Sequence, residues 1–205
     1  VPLPNPDIAT LKDVPKAWEE FAGLDMILLS EQNGFALMGT ASLEDFKFWL
    51  TVTPDSESPE DWSKFILEML VVPNSVSFAF RDRETQKWVG KSSFMDIRPQ
   101  ALGLEIGMTW IANEMRGTWV NPMMKWLMLK TAFERWGAIR VQLKTDGRNI
   151  HSQNAIKKLG ATYEGTFRKH GIQKNGFIRD TAMFSITDTE WPSVEQNLLG
   201  RKKGS

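Results

Sequence analysis

The stretch from Leu102 to Trp136 constrains the fold more than any other. Leu102, Leu104, Ile106, Met108 and Trp110 alternate strictly with Gly103, Glu105, Gly107, Thr109 and Ile111. That is the period of a strand with one face on a core. A loop carrying Arg116-Gly117-Thr118 follows, and then an apolar helix is predicted over Pro122–Trp136. Asn121 stands at its predicted N-cap, Pro122 at its first position and Gly137 at its far end. Such a joint aims backbone N–H groups and a helix dipole at one point, which suits a phosphate. Taken alone, the pattern reads equally well as an ordinary strand–loop–helix connection.

A second unit follows. Ile139, Val141, Leu143 and Thr145 alternate with Arg140, Gln142 and Lys144, giving a strand. A helix is predicted over Asn149–Leu159, closed by Gly160, with Ser152, Ala155, Ile156 and Leu159 on one face. Asn149 can cap this helix and Ser152 can simply pack, so neither residue alone indicates chemistry. Strands near 161–168 and 178–187 come next, with Asn175-Gly176 as a turn, and then a short helix near 189–199.

The N-terminal part is less specific. A Pro-rich lead-in runs to about Pro15. A helical piece ends near Leu50, and Thr53–Pro59 is linker-like. Ser58 caps a helix predicted over about 59–71, with Pro59 at its first position and Glu60-Asp61 in its first turn. Val76–Phe80 and Trp88–Asp96 form a hairpin around Arg81–Lys87. Hairpins alternating with helical crossovers predict a mixed sheet, an α/β (α+β) architecture.

Composition narrows the chemistry. The chain has no cysteine and two histidines, His151 and His170, which excludes disulfide, thiolate and His-rich metal chemistry; no metal is expected. Lys+Arg and Asp+Glu are both 25, and this zero net charge argues against a nucleic-acid partner. No apolar run is long enough for a membrane helix, and Val1–Pro6 has no secretory-signal pattern, so a cytoplasmic protein is expected. Gly200–Ser205 reads as a disordered basic tail.

Together, EIGMTWI, RGTWVNPMMK, KTDGRNIHSQNAIKKLGATYEG and IRDTAMFSI, spread over about 102–187, resemble the GNAT superfamily of acetyl-CoA-dependent N-acyltransferases. The likeness is greatest to its Rim-type branch, whose enzymes acetylate ribosomal-protein N-termini. It implies the GNAT fold: a strongly twisted mixed sheet, splayed between its fourth and fifth strands, with the cofactor in the opening. The expected domain is 21–199, after a lead-in over 1–20 and before the tail 200–205. Acetyl-CoA is the implied co-substrate. Thr109, Trp110 and Ile111 would pair with its pantetheine arm. Arg116, Gly117, Thr118, Trp119, Val120 and Asn121 would hold its pyrophosphate. Asn149 and Ser152 would contact it from the other side.

The implied reaction moves an acetyl group to a primary amine, on a peptide N-terminus or a small molecule, by direct attack on the thioester. Glu105 is the candidate base, with Gly103 and Gly107 leaving room beside it; a solvated edge carboxylate is the competing reading. Ser152 is the candidate for stabilising the leaving thiolate. The lone tyrosine, Tyr163, lies in a later strand and reads as packing. A backbone N–H near Trp110 or Ile111 would polarise the carbonyl. The family's phosphate loop has small residues where this chain has Trp119, which folds outward or obstructs the seat. Obstruction would leave a non-catalytic GNAT-fold binding module; a partner-binding or assembly protein on a similar mixed sheet is a separate alternative. Monomer and homodimer are both compatible.

Overall fold

In the computed structural model, residues 7–38, 41–50, 53–202 and 204 are described. Val1–Pro6 of the lead-in, and Lys203 and Ser205 of the tail, lie outside the described residues. The element order is α1 (Lys16–Ala22), β1 (Leu24–Leu28), α2 (Glu31–Met38), α3 (Pro59–Leu70), β2 (Val76–Asp82), β3 (Trp88–Arg98) and β4 (Gly103–Ile111), then α4 (Val120–Lys130), β5 (Arg140–Asp146), α5 (Ile150–Leu159), β6 (Thr162–Ile172), β7 (Ile178–Thr187) and α6 (Trp191–Leu199). The strands form one seven-stranded mixed sheet in the order β1-β2-β3-β4-β5-β7-β6. Every neighbouring pair is antiparallel except β4 and β5.

Each face of the sheet carries its own core. Leu104, Ile106, Val141 and Phe184 pack with Met123, Leu127, Ile156 and Val194, so α4, α5 and α6 cover one face. On the other face, Trp62, Phe65, Ile66 and Met69 pack with Leu37, Phe46 and Trp110. Their spacing is the apolar stripe of α3, which starts as expected: the Ser58 hydroxyl accepts from the Asp61 N–H and Pro59 opens the helix.

Several expectations are corrected. The core begins earlier than the lead-in predicts, because Leu11 is fully buried and α1 starts at Lys16. Strand β1 escapes the hydropathy pattern because the buried Asp25 interrupts it; ion pairs to Arg81 and Arg83 hold that carboxylate. Helix α4 starts at Val120, so Asn121 lies inside it and Trp119 occupies the cap position. The α-helical part ends at Lys130 and continues as a π-helical turn, Thr131–Trp136, before Gly137 (φ 79°) stops it. Leu102 (φ 46°) closes a 3-10 turn and lies outside β4.

The strict alternation along β4 also fails. Met108 adopts φ 48°, and the pairing with β3 shifts between Lys91 and Ser93. This bulge places one extra residue in β4 and reverses the faces beyond it. Leu104 and Ile106 therefore face α4, whereas Trp110 is buried on the α3 face. Thr109 faces α4 instead, where it meets Lys125.

Gly90 of β3 lets three layers meet at this bulge. A Cβ there would stand 2.8 Å from the Trp110 carbonyl oxygen and 2.9 Å from the Met124 sulfur. Gly90→Ala is expected to destabilise the fold by about 1–3 kcal/mol, the usual range for overpacking. A lowered urea midpoint at unchanged slope checks this.

Candidate active site

Strands β4 and β5 start as a pair and then part. Their parallel register covers only Gly103↔Arg140, Leu104↔Val141 and Glu105↔Gln142. Beyond it, β4 stays bound to β3 through Ile106↔Phe94, Gly107↔Ser93 and Trp110↔Lys91. Strand β5 stays bound to β7 through Leu143↔Phe184 to Asp146↔Thr181. Each half of the sheet is intact, and the facing edges open into a wedge. Backbone groups on those edges want partners, so the wedge suits an extended, amide-bearing chain. Because β4 and β5 are parallel, the N-termini of α4 and α5 both lie at the open end.

Glu105 sits at the apex of this wedge. It is 2% exposed, so it is no solvated edge carboxylate. Lys144 Nζ pairs with its Oε2 at 2.8 Å, and Gln142 Nε2 donates to the same oxygen at 3.2 Å. Its Oε1 lies 2.8 Å from where a Cβ on Gly107 would stand. Gly107 thus supplies the room that the sequence suggests, and the carboxylate itself occupies it. Among the described residues, no hydrogen bond is donated to Oε1, so both donors leave one oxygen for a further proton donor.

At the open end, Gly117 (φ 77°) has no atom within 4 Å of a built Cβ. The Thr118 hydroxyl donates to the Met115 carbonyl and accepts from the Val120 N–H at 3.3 Å. The Trp119 ring folds outward onto the α1–β1 corner, its edge 3.7 Å from a Cβ built on Gly23. Arg116 turns away from the loop, to the other face of the sheet. It donates to the Ile111 carbonyl and pairs with Asp45 at 2.7 Å, while Trp110 Nε1 donates to Asp45 at 3.1 Å. Burial pushes the Asp45 carboxyl up, but hydrogen bonds from Arg116, Trp110 and the Ser42 N–H outweigh it and hold it below the usual carboxylate range.

On α5, the Asn149 side chain accepts from the Ser152 N–H at 3.0 Å. Its capping role is therefore real, and it fixes Ser152 in the first turn. Ser152 is half-buried; His151 and His170 are exposed. Tyr163 is half-exposed, tilted on Phe184, with its hydroxyl on Thr166, so it packs at the rim of the sheet.

A strap after the 3-10 turn Leu43–Phe46 runs beside the wedge, tied to the β6–β7 hairpin. Gln173 donates to the Lys47 and Trp49 carbonyls and Arg179 to that of Phe48. Arg148, paired with Asp146 at 2.8 Å, stacks its guanidinium 3.5 Å from the Phe177 ring centroid.

Two buried lysines escape sequence reasoning altogether. Lys125 on α4 donates to Thr109 Oγ1 at 2.6 Å and to Ser92 Oγ at 3.2 Å, and Ser92 also donates to the Gly107 carbonyl. It therefore ties α4 to both strands around the Met108 bulge. Lys91, fully buried on the other face, contacts Met69 Sδ at 3.1 Å and lies 5.3 Å from the Trp49 ring centroid. Burial pushes both ammonium groups down to about 7; repulsion from Lys125 adds to this for Lys91, and attraction to Glu105 opposes it for Lys125. The only signal available in sequence was a lysine inside a helix or strand that otherwise reads as core.

The fold and this split sheet define a class, and comparison with known proteins agrees. The Acetyltransferase (GNAT) domain family matches residues 17–162, so the chain belongs to the GNAT acetyltransferase family. Among solved structures, a T. thermophilus protein assigned as an acetyltransferase is 30% identical, with TM-score 0.81, covering 87% of this chain and 93% of that one. A GCN5-related N-acetyltransferase from Brucella melitensis shares the fold at 22% identity and TM-score 0.81, over 96% and 86% of the two chains. More distant is the ribosomal-protein-S5-alanine acetyltransferase from Vibrio fischeri, at 17% identity and TM-score 0.62, over 82% and 95%. No curated protein matches at a significant level. Among the described residues no helix is long and apolar enough to cross a membrane, and no cluster of three metal-ligating side chains occurs.

The buried lysines give a stability test. Between about pH 7 and 10.5 the unfolded lysines are protonated and the folded ones are not, so the unfolded state binds more protons. Stability should therefore rise with pH across that window, by at most about 1.4 kcal/mol per pH unit for each lysine. Denaturant midpoints from pH 7 to 9.5 should climb for the wild type, and more weakly for Lys91→Met.

Proposed function

We propose that the protein transfers the acetyl group of acetyl-CoA to a primary amine. The observation that carries this reading is the parting of β4 from β5 directly after Glu105, a buried carboxylate with one oxygen unclaimed. The wedge fits the cofactor: its edges expose backbone groups, Gly117 is open, and no acidic side chain stands in the first turn of α4. Thr109, Trp110 and Ile111 would meet the pantetheine arm. Gly117, Thr118, Trp119, Val120 and Asn121 would offer backbone to the pyrophosphate, with Asn149 and Ser152 on the opposite wall. Arg116 belongs to this loop as a strut, since its charge goes to Asp45.

Acetyl-CoA supplies an activated acetyl thioester and a thiolate leaving group. Glu105 accepts the proton of the incoming ammonium at Oε1, while Lys144 and Gln142 hold Oε2 and fix the carboxylate's orientation. Lys125, through Thr109 and Ser92, keeps the bulge in shape, so that N–H groups of β4 near Trp110 stay aimed at the acetyl carbonyl. Ser152, held in the first turn by Asn149, donates a hydrogen bond to the departing sulfur.

The Rim-type likeness directs an acceptor screen, with free-thiol detection, to peptides beginning in Ser, Ala or Thr, with polyamines as the small-amine arm. Glu105→Gln should lower turnover roughly 10²–10⁴-fold with acetyl-CoA affinity little changed, and less so at high pH where the amine is already neutral. Full turnover at neutral pH would remove Glu105 from the mechanism. Gly117→Val forces a β-branched residue into φ 77° and should weaken acetyl-CoA by more than about tenfold by calorimetry.

A further inference from the structure

Arg179 stands in the stretch IRDTAMFSI, near the start of β7, and is only 4% exposed. Ala182 and Phe184 of the same strand pack on the α4 face, so the two-residue period turns Arg179, Thr181 and Met183 to the α3 face. The same count turns Glu105 and Lys144 to that face, away from Leu104, Ile106 and Leu143. Strand β5 stops at Asp146, opposite Thr181, and the Arg179 side chain bends back over that end. Its Nε donates to Thr181 Oγ1 at 3.1 Å and its Nη1 to the Phe48 carbonyl of the strap at 3.2 Å. The guanidinium therefore lies between sheet and strap, on the face where Glu105 keeps Oε1 free.

No partner balances its charge. Among the described residues, Arg179 forms no ion pair and its Nη2 donates no hydrogen bond. Asp146 is engaged elsewhere: Arg148 takes Oδ1 through its backbone N–H and Nε, and Oδ2 through Nη2. Glu105 gives Oε2 to Lys144. Burial pushes the pKa of Arg179 down; attraction to Asp146 and Glu105 opposes this, and repulsion from Arg148 adds to it. Three cations against two carboxylates leave this cluster with one positive charge. Holding the strap does not need that charge, because Gln173 makes the same kind of contact to the Lys47 and Trp49 carbonyls with a neutral amide. A buried cation with only a hydroxyl and a carbonyl for partners costs stability, and a carboxylate at Nη2 would offset that cost. The planar guanidinium suits a carboxylate in particular. An ammonium brought to Glu105 adds a further positive charge, which favours an acceptor that brings its own carboxylate over a polycation.

We propose that Arg179 recognises the acceptor by a carboxylate carried on the same molecule as the reacting amine. This rests on the acetyl-transfer reading above and narrows its substrate class from amines in general to amino acids or acidic peptides. Two sources share that chemistry: the α-carboxylate of a free amino acid, and an acidic side chain next to a peptide N-terminus.

Steady-state kinetics of the full chain at saturating acetyl-CoA tests this. The acceptors are serine against serinamide, the amide of Ser-Glu against the amide of Ser-Gln, and spermidine. In at least one pair the wild-type KM of the acid should lie about tenfold or more below that of its neutral partner. Arg179→Gln should lower the acid-to-neutral ratio of kcat/KM by a similar factor, chiefly through the KM of the acid, and Arg179→Lys should retain part of the ratio. Comparing ratios between wild type and variant cancels differences in amine basicity. A purely structural role would slow acid and neutral partner alike; an unchanged ratio in Arg179→Gln overturns the proposal. Wild-type KM values no lower for either acid overturn it too, whether or not the variant folds. A change in the first pair assigns the contact to the α-carboxylate, and a change in the second to the acidic side chain. A wild type that acetylates spermidine and neither acid overturns the inference and leaves acetyl transfer intact. A wild type that binds no acetyl-CoA by calorimetry overturns the acetyl-transfer reading and the inference with it.

Discussion

The parting of β4 and β5 after Glu105 and Gln142 is the constraint on which the rest of the molecule depends. Two strands that stop pairing leave backbone groups without partners, a cost that a fold avoids unless something else enters. The two halves of the sheet absorb it differently. Strand β4 keeps β3 and bends through the Met108 bulge, while β5 keeps β7 in continuous register. The opening is thus built from intact pairings on either side.

Holding that shape requires charge to be buried on both faces. Lys125 bridges α4, Thr109 and Ser92 below the bulge, and Asp45 gathers Trp110 and Arg116 above it. Burial lowers the proton affinity of the Lys125 ammonium despite its hydroxyl partners, so holding the charge there costs stability. Its position explains why it is there: its hydrogen bonds span the helix and both strands at the point where the backbone leaves regular geometry. Asp45 does the same for the strap, linking the α3 face of the sheet to the loop that opens α4. Mechanical coupling between the two sides therefore runs through side chains that hydropathy alone would not place in a core.

The motif-rich half of the chain was the legible half. Helix α5 and its Asn149 cap, the hairpin turn at Asn175-Gly176, and the α3 stripe all follow from local rules, because capping, turns and amphipathic period are set by neighbours in sequence. Strand β1 was not legible, since its Asp25 is acceptable only beside Arg81 and Arg83, more than fifty residues away in sequence. The start of α4 shifted for a similar reason: Trp119 and Val120 find burial against α1 and the sheet, and that favours helix two residues before the proline.

By itself, then, the sequence determined the mixed α/β order and the family, and it singled out the loop from Arg116 to Asn121 and Glu105 as candidates. Each of these is written in residues close together along the chain. Only the tertiary structure decided where their side chains go. It turned Arg116 away from the loop and onto Asp45, and it folded the Trp119 ring onto the α1–β1 corner. It paired one oxygen of Glu105 and left the other, and it laid Arg179 between Thr181 and the strap. The physical reason is common to all four. Long side chains choose partners by distance in space, and the pairings of β4 with β5, of the strap with the sheet and of β5 with β7 exist only once the chain has folded.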